Sequence, residues 1–279
     1  MTTRRTVAGA SLLLGPALAF LLVAYGLPLA NVLLLSVGYP RLTGAHLAQF
    51  FRNPVYLTVL WTTFMMSALI TFVCAILGYP AAYLLTTASP RARRWLVVAI
   101  VLPFATSMLV RTYAWMALLG REGVVNQAML ALGFWGSPAK LMHNTFGVMV
   151  GMVHLMLPLM VLSMYSVIST IDRTLGKAAE TLGATPLVSH LRVFLPLSLA
   201  GVSAGSLLVF MLSIGFYVTP ALLGSPKDIW ISMLIELQVN QTLNWHFAAA
   251  IATVLMVSSL TLYVIYGRLF GYARVGQLA

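Results

Sequence analysis

Eleven side chains in this sequence are acids, histidines or cysteine, the types that acid–base, nucleophilic and metal chemistry most often use. They are Glu122, Asp172, Glu180, Asp228 and Glu236, His46, His143, His154, His190 and His246, and Cys74. Their spacing serves none of that chemistry. The histidines are scattered, with no metal-ligand spacing, and a single cysteine allows no disulfide or cysteine metal site within the chain. No acid lies deep in an apolar run, so no carboxylate pair is set up there. No G-x-x-x-x-G-K-[ST] stretch is present, so the chain encodes no phosphate loop for ATP hydrolysis. An intramembrane enzyme would need one of these constellations. The residue types suit non-covalent work instead: docking a partner and passing a solute.

The clearest docking pattern is Leu175–Pro196, an amphipathic, charge-bearing island between long apolar runs. Leu175, Ala178, Ala179 and Leu182 fall at i, i+3, i+4 and i+7, on one face of a helix. Gly183 follows where a left-handed residue ends such a helix. Thr185 and Pro186 suit an N-cap and the first position of the next one. The pattern predicts two short helices joined at a glycine, outside the lipid, with alanines small enough for a partner to come close. An acid at position 177 would complete a capping box with Thr174. Lys177 cannot, and it puts a cation in the first turn, against the helix dipole.

The elements that must carry this island are membrane spans. The chain is 61% hydrophobic and 8% charged, against roughly 25% charged in soluble domains. Apolar runs at Leu12–Val37, Leu57–Leu85, Leu96–Leu119, Phe146–Ile168, Leu197–Val218 and Phe247–Tyr266 each reach the ~20 residues that cross a bilayer. The expected architecture is one all-α membrane domain, 1–279, with six transmembrane helices. Loops are expected at Gly38–Tyr56, Gly120–Thr145 and Thr219–His246 on one side, and at Thr86–Trp95 and Ser169–Pro196 on the other. The net charge of +11 follows from the positive-inside rule rather than from nucleic-acid binding. Arg4, Arg5, Arg91, Arg93, Arg94, Arg173, Lys177, Arg192, Arg268 and Arg274 fall on one side, and Arg41, Arg52, Arg121, Lys140 and Lys227 on the other. That bias places both termini and the 169–196 loop in the cytoplasm. Arg4 and Arg5 precede an apolar run too long for a signal peptide, so the first span is expected to be retained. Trp95, Trp135, Trp230 and Trp245 fall near expected membrane boundaries, and Gly201 and Gly205 form a G-x-x-x-G that permits close helix packing.

The 175–196 stretch resembles the cytoplasmic EAA loop of permease subunits in binding-protein-dependent ABC importers. That motif reads E-A-A, three residues, G, nine residues, then I-x-L-P. Ala178, Ala179, Gly183, Val193, Leu195 and Pro196 match it, and Lys177 stands where the motif has its glutamate. Leu102-Pro-Phe, Val110–Trp115, Leu119–Gln127, Gly147–His154, Phe216–Gly224 and Leu243-Asn-Trp245 are further similar to spermidine/putrescine-type permeases, most of all to the first of that importer's two permease subunits. The resemblance implies a type I ABC importer permease fold in a bacterial inner membrane. It implies a second, homologous permease as partner, two copies of an ATPase that holds ATP and Mg, and an extracytoplasmic binding protein. No cofactor is expected in this chain. Lys177, Ala178, Ala179, Glu180, Leu182, Gly183 and Ala184 are then the residues expected to insert into the ATPase.

The expected solute is a polyamine, and six residues are candidates for its path. Arg111 is the only basic residue inside an expected span, and an intramembrane charge marks a functional site by default. It would repel a polyamine unless paired, so it suits gating or structure better than ligation. Tyr113, Trp115, Phe216 and Tyr217 cluster at the outer halves of the third and fifth spans, where an aromatic lining can pass an alkylammonium by cation–π contact. Glu236, flanked by Leu234, Ile235 and Leu237, is an acid set against protein. The same machinery could import an opine, a phosphonate, an amino-acid derivative or a metal complex. An ion-coupled secondary transporter is the other class, but it calls for internal repeats and midplane charges.

Overall fold

The computed structural model describes the backbone of residues 15–275 and the side chains of residues 15–269. Arg4, Arg5, the side chain of Arg274 and the start of the apolar run at Leu12 lie outside the described residues. Among the described residues every regular element is a helix. In chain order these are α1 Gly15–Ser36, α2 Ala45–Arg52, α3 Pro54–Thr87, α4 Pro90–Ala105, α5 Met108–Leu119, α6 Val124–Ala131, α7 Thr145–Ile168, α8 Thr174–Thr181, α9 Pro186–Ile214, α10 Val218–Leu223, α11 Ile231–Asn240 and α12 Trp245–Val275. Among the described residues five are long and apolar enough to cross a membrane, and a pair bent by 96° brings the count to six if the two halves form one span.

That bent pair corrects the expected third span. Instead of one rod over Leu96–Leu119, α4 stops at Ala105 and the chain turns by 96° into α5. Pro103 lies at the break and lacks the N–H that would continue the ladder. Thr106 and Ser107 then take extended backbone, at ψ 152° and 138°. The Thr106 hydroxyl bonds back to the Pro103 carbonyl at 2.7 Å and holds the turn. Arg111 therefore stands in the first turns of a separate helix, not midway along a continuous span.

The fifth run is also corrected. The expected second short helix of the loop and the fifth span are one helix, α9, of 29 residues. The junction is a π turn at His190–Phe194, closed by Leu195 N–H to the His190 carbonyl. The wider turn accommodates Pro196, which has no N–H to offer an α-helical ladder. At its far end α9 stops at Ile214, and Phe216 and Tyr217 lie in the link to α10 rather than on a helix.

The chain divides into two compact units, Met1–Leu57 with Leu234–Ser258 and Thr58–Met233 with Ser259–Ala279. In the first, α1 is exposed along most of its length, with Ser36 buried at its end. Phe50, fully buried, stacks on Tyr56, which in turn tilts against Phe247. In the second, Ile70, Cys74, Met152, Met156, Met160, Met164 and Val209 build an apolar core between α3, α7 and α9. Trp230 belongs to that core and is fully buried, so it is not a boundary tryptophan, whereas Trp95 and Trp245 are well exposed. One of the polar groups buried there is used twice. The Thr63 hydroxyl donates to the Val59 carbonyl at 2.8 Å and accepts the Ile231 N–H at 2.9 Å, which supports the start of α11.

Candidate functional site

Two places in the molecule carry functional expectations: the α8–α9 corner and the far ends of α5 and α9. At the corner, each backbone feature has a local cause. Asp172, not Thr174, begins α8: its Oδ1 accepts the Thr174 N–H at 2.8 Å, and Thr174 is already the first helical residue. The Thr174 N–H and hydroxyl hold the Asp172 carboxyl below its ordinary range. Position 177 therefore has no capping box to complete, and Lys177 is exposed. At the other end, Ala184 N–H bonds the Ala179 carbonyl at 3.1 Å and Gly183 N–H the Glu180 carbonyl at 3.0 Å. These are the two bonds of a Schellman turn, and Gly183 has the positive φ it needs, 93°. Thr185 Oγ1 then accepts the Val188 N–H at 3.4 Å and caps α9 ahead of Pro186.

The corner presents apolar surface outward. Leu182 is 90% exposed and Leu187 67% exposed. Lys177, Ala178, Glu180 and Gly183 are exposed too, while Ala179 and Ala184 are half-buried. Two leucines are thus held in the open at this turn.

What braces this surface was not legible from spacing. The Ser189 hydroxyl donates to the Gly176 carbonyl at 3.0 Å and locks α9 to α8. The Arg173 guanidinium donates to the Thr86 carbonyl, and Arg93 reaches the Leu85 and Ala88 carbonyls at 2.9 and 3.3 Å. Two arginines thus take carbonyls that the C-terminus of α3 leaves unsatisfied. The His190 ring stacks on Phe194 and meets Tyr83 edge-on. Its Nε2 lies 3.3 Å from the Tyr79 hydroxyl. This surface is therefore fixed to the end of α3, and through α9 it continues directly into the core.

At the far end, Arg111, Tyr113 and Trp115 share α5. The structure brings α5 against α10 and α7, with the Thr112 and Thr219 hydroxyls 3.3 Å apart. Tyr113 and Tyr217 are exposed, at 55% and 37%. Trp115 and Phe216 pack against the core cluster, and the Trp115 indole N–H is committed to His154 Nδ1 at 3.1 Å. Of the four aromatics, the two tyrosines are the ones left open. Arg111 lies with Cζ 5.5 Å from the centre of the Phe104 ring. Glu236 lies in the other unit, on α11, half-buried as its apolar flanks suggest, and its Oε1 accepts from Asn240 at 3.3 Å.

Asp228 is a loop brace. Its carboxylate accepts from the Thr145 hydroxyl at 2.7 Å, the Ser225 hydroxyl at 2.6 Å and the Ser225 N–H at 3.1 Å. Burial alone would raise this carboxyl, but the two hydroxyls and the N–H outweigh it and hold it below its ordinary range. A lowered folded-state pKa stabilises above the unfolded value and loses its effect as pH falls through the folded one. Asp228→Asn should therefore lower the melting temperature in detergent at pH 7. The gap to the parent should begin to close below about pH 4, and a gap that widens with acid would refute the assignment.

The fold is that of a membrane permease of an ABC importer. The chain matches a chain of a bacterial alginate ABC transporter, solved in complex with an alginate pentasaccharide-bound periplasmic protein, with a TM-score of 0.77 over 95% of this chain and 94% of that one, at 16% identity. No family model matches the sequence. It is 32% identical over 247 residues to the spermidine/putrescine transport system permease protein PotB of Haemophilus influenzae, covering 85% of this chain and 86% of that one. It is 33% identical over 227 residues to the PotB of Escherichia coli, covering 81% and 80%. The chain belongs to the PotB family of transport permeases, and is a multi-pass inner-membrane protein.

Proposed function

We propose that this chain is one of two permease subunits of an ATP-driven polyamine importer and does no chemistry itself. The observation that carries the reading is the exposed α8–α9 corner, rigidly continuous with a membrane helix. An ATPase that grips Leu182 and its neighbours can move α9, whose 29 residues span about 43 Å, as a lever. ATP and Mg belong to that ATPase. The 169–196 loop and both termini face the cytoplasm, as the basic-residue bias supports, and an extracytoplasmic protein delivers solute to the opposite face. The substrate class rests on the two PotB relatives, both spermidine/putrescine permeases by name. Purification of the tagged chain from its own membrane should bring down a second permease and an ATPase. Absence of any ATPase would favour an ion-coupled carrier. Mass spectrometry of the copurified binding protein's ligand tests the substrate: an opine, phosphonate or metal complex there would keep the machinery and replace the polyamine.

Within this reading Glu236 and Tyr217 are each candidates for contact with the solute. Glu236→Gln keeps shape and removes charge, so uptake of labelled putrescine or spermidine into proteoliposomes should fall with basal ATP hydrolysis unchanged. Tyr217→Leu should act more mildly, since one cation–π contact contributes only ~0.5–2 kcal/mol. Normal uptake by the double variant would remove both residues from the path.

A further inference from the structure

Arg93 and Arg173 come from different elements and meet at one oxygen. Arg93 belongs to α4, where its Nε donates to the Leu85 carbonyl at 2.9 Å and its Nη2 to the Thr86 and Ala88 carbonyls at 3.4 and 3.3 Å. Arg173 precedes α8, and its Nη2 donates to the same Thr86 carbonyl. Among the described residues, every hydrogen bond these two guanidiniums make goes to a carbonyl. Two full charges are thus brought together over a dipole, which orients them without neutralising them.

Both arginines line a cavity of about 310 Å³, together with Thr86, Tyr165, Ile168 and Ser169. No acid is among these lining residues. Asp172, next to Arg173 in the chain, is turned to the Thr174 N–H instead. The Thr86 and Ser169 hydroxyls already donate to the Tyr83 and Ser166 carbonyls, at 2.7 and 3.1 Å. What stays free to donate is the unused N–H groups of two guanidiniums and the Tyr165 hydroxyl. Such a hollow suits an anion, and the guanidinium fork matches phosphate oxygens in pairs. Its level in the molecule is marked independently. Trp95, two residues beyond Arg93, is 69% exposed, and Arg91 and Arg94 are exposed beside it. An open tryptophan at a basic helix start belongs to the boundary between lipid and water, where headgroup phosphates lie.

We propose that Arg93 and Arg173 hold a phosphate group in this cavity, and that an anionic phospholipid of the inner leaflet supplies it. Basic pockets between membrane helices on the cytoplasmic side recognise such headgroups, so the inference rests on the cytoplasmic placement of this end in the reading above. A phosphate bound there ties the ends of α3 and α7 to the starts of α4 and α8, at the root of the corner that carries Leu182. The sign of the charge rules out a cationic solute as the occupant. A carboxylate of the ATPase is the other anion within reach, but the hollow opens beside Trp95 at the lipid boundary rather than at the exposed leucines.

The test is native mass spectrometry of the purified complex, delipidated and then titrated with phosphatidylglycerol or phosphatidylcholine. The parent should bind phosphatidylglycerol the more tightly, because two unneutralised arginines prefer a headgroup with net negative charge. Arg173→Gln should weaken the Kd of one bound phosphatidylglycerol by about fivefold or more, and Arg173→Lys should stay within about twofold of the parent. Glutamine still offers an N–H to the Thr86 carbonyl, so a residue that only caps α3 would bind lipid unchanged as glutamine, and that result overturns the proposal. Equal affinity for the two lipids overturns it too. So does an equal loss in Arg94→Gln, which would reduce the effect to diffuse surface charge. Displacement of the lipid by millimolar inorganic phosphate reassigns the cavity to a soluble ion and overturns the lipid assignment. Loss of the ATPase from Arg173→Gln with lipid binding intact gives the site to a protein carboxylate and overturns it as well. If the parent copurifies with no ATPase, the importer reading fails instead, and the same lipid titrations on the permease still decide this site.

Discussion

Gly183→Val is expected to leave the permease inserted and assembled while cutting uptake by about tenfold or more, with ATP hydrolysis no longer matched to transport; the first cause is backbone geometry. A Cβ built on Gly183 meets nothing within 4 Å, so no packing clash arises inside the chain. The strain comes from the positive φ of 93°. A left-handed residue with a side chain costs roughly 1–2 kcal/mol, and β-branching adds to it. The cheapest relief is to unwind the Schellman turn, releasing the Ala184–Ala179 and Gly183–Glu180 bonds. Leu182 would then leave its position, and α8 would no longer hold a fixed angle to α9. The new methyls also stand on the surface assigned to the ATPase. Asparagine tolerates left-handed backbone better than most residues, so Gly183→Asn should keep most activity, Gly183→Ala less and Gly183→Val least. Transport at the parental rate by the valine variant would dissociate this turn from coupling.

The parts of this fold that sequence made legible are those where one residue type has one physical use. Gly183 and Thr185 were readable because a helix end needs either a positive φ or a side-chain acceptor, and few residues supply them. The spans were readable because backbone in lipid must be helical. Direction was not. Apolar composition is the same in a straight rod and in one that turns by 96°, so the break at Thr106–Ser107 was hidden, and Pro103 alone does not separate a kink from an end. Pro196 misled in the opposite sense. It read as the close of a loop, whereas a π turn before it lets α9 run on into the membrane.

The braces of the candidate site were hidden for a different reason. Tyr79 and His190 are 111 positions apart, and Thr86 and Arg173 are 87 apart. No local pattern marks a pair that only the packing of α3 beside the α8–α9 corner brings together. His190 was passed over because histidines were weighed as metal ligands, and this one is an aromatic wedge. Trp230 was misplaced because a tryptophan near a boundary suits either the interface or a core, and its burial is a tertiary property. Arg111 was singled out by sequence for being charged in an apolar run. That its Nε and Nη1 are buried without a hydrogen-bond partner is a tertiary property that no local pattern shows.

Gly201→Val is expected to damage the folded permease severely, and Gly205→Ala only mildly, although both glycines belong to one G-x-x-x-G. Both lie where α9 crosses α7. A Cβ on Gly201 would sit 3.0 Å from Val167 Cβ, 3.2 Å from the Met164 carbonyl oxygen and 3.4 Å from Met164 Cα. Two of those neighbours are backbone and the third is branched, so none can step aside without moving α7. A Cβ on Gly205 comes nearer, at 2.8 Å, but to Met160 Sδ, the mobile end of an unbranched side chain that can change rotamer. Distance alone would rank Gly205 as the tighter site; the capacity of the neighbour to yield reverses the order. Overpacking a core typically costs 1–3 kcal/mol, and valine at Gly201 adds two more methyls at the same crossing. The Gly201→Val protein should therefore melt well below the parent in detergent and accumulate poorly in the membrane. Gly205→Ala should melt close to the parent. Because α9 also carries the proposed docking surface, any Gly201→Val protein that does assemble should show weakened coupling, since a lever that no longer beds against α7 cannot pass on a movement applied at Leu182. Equal melting temperatures for the two variants would mean that the helices are free to separate at Gly201, and that the α7–α9 contact is not the rigid seam on which this lever turns.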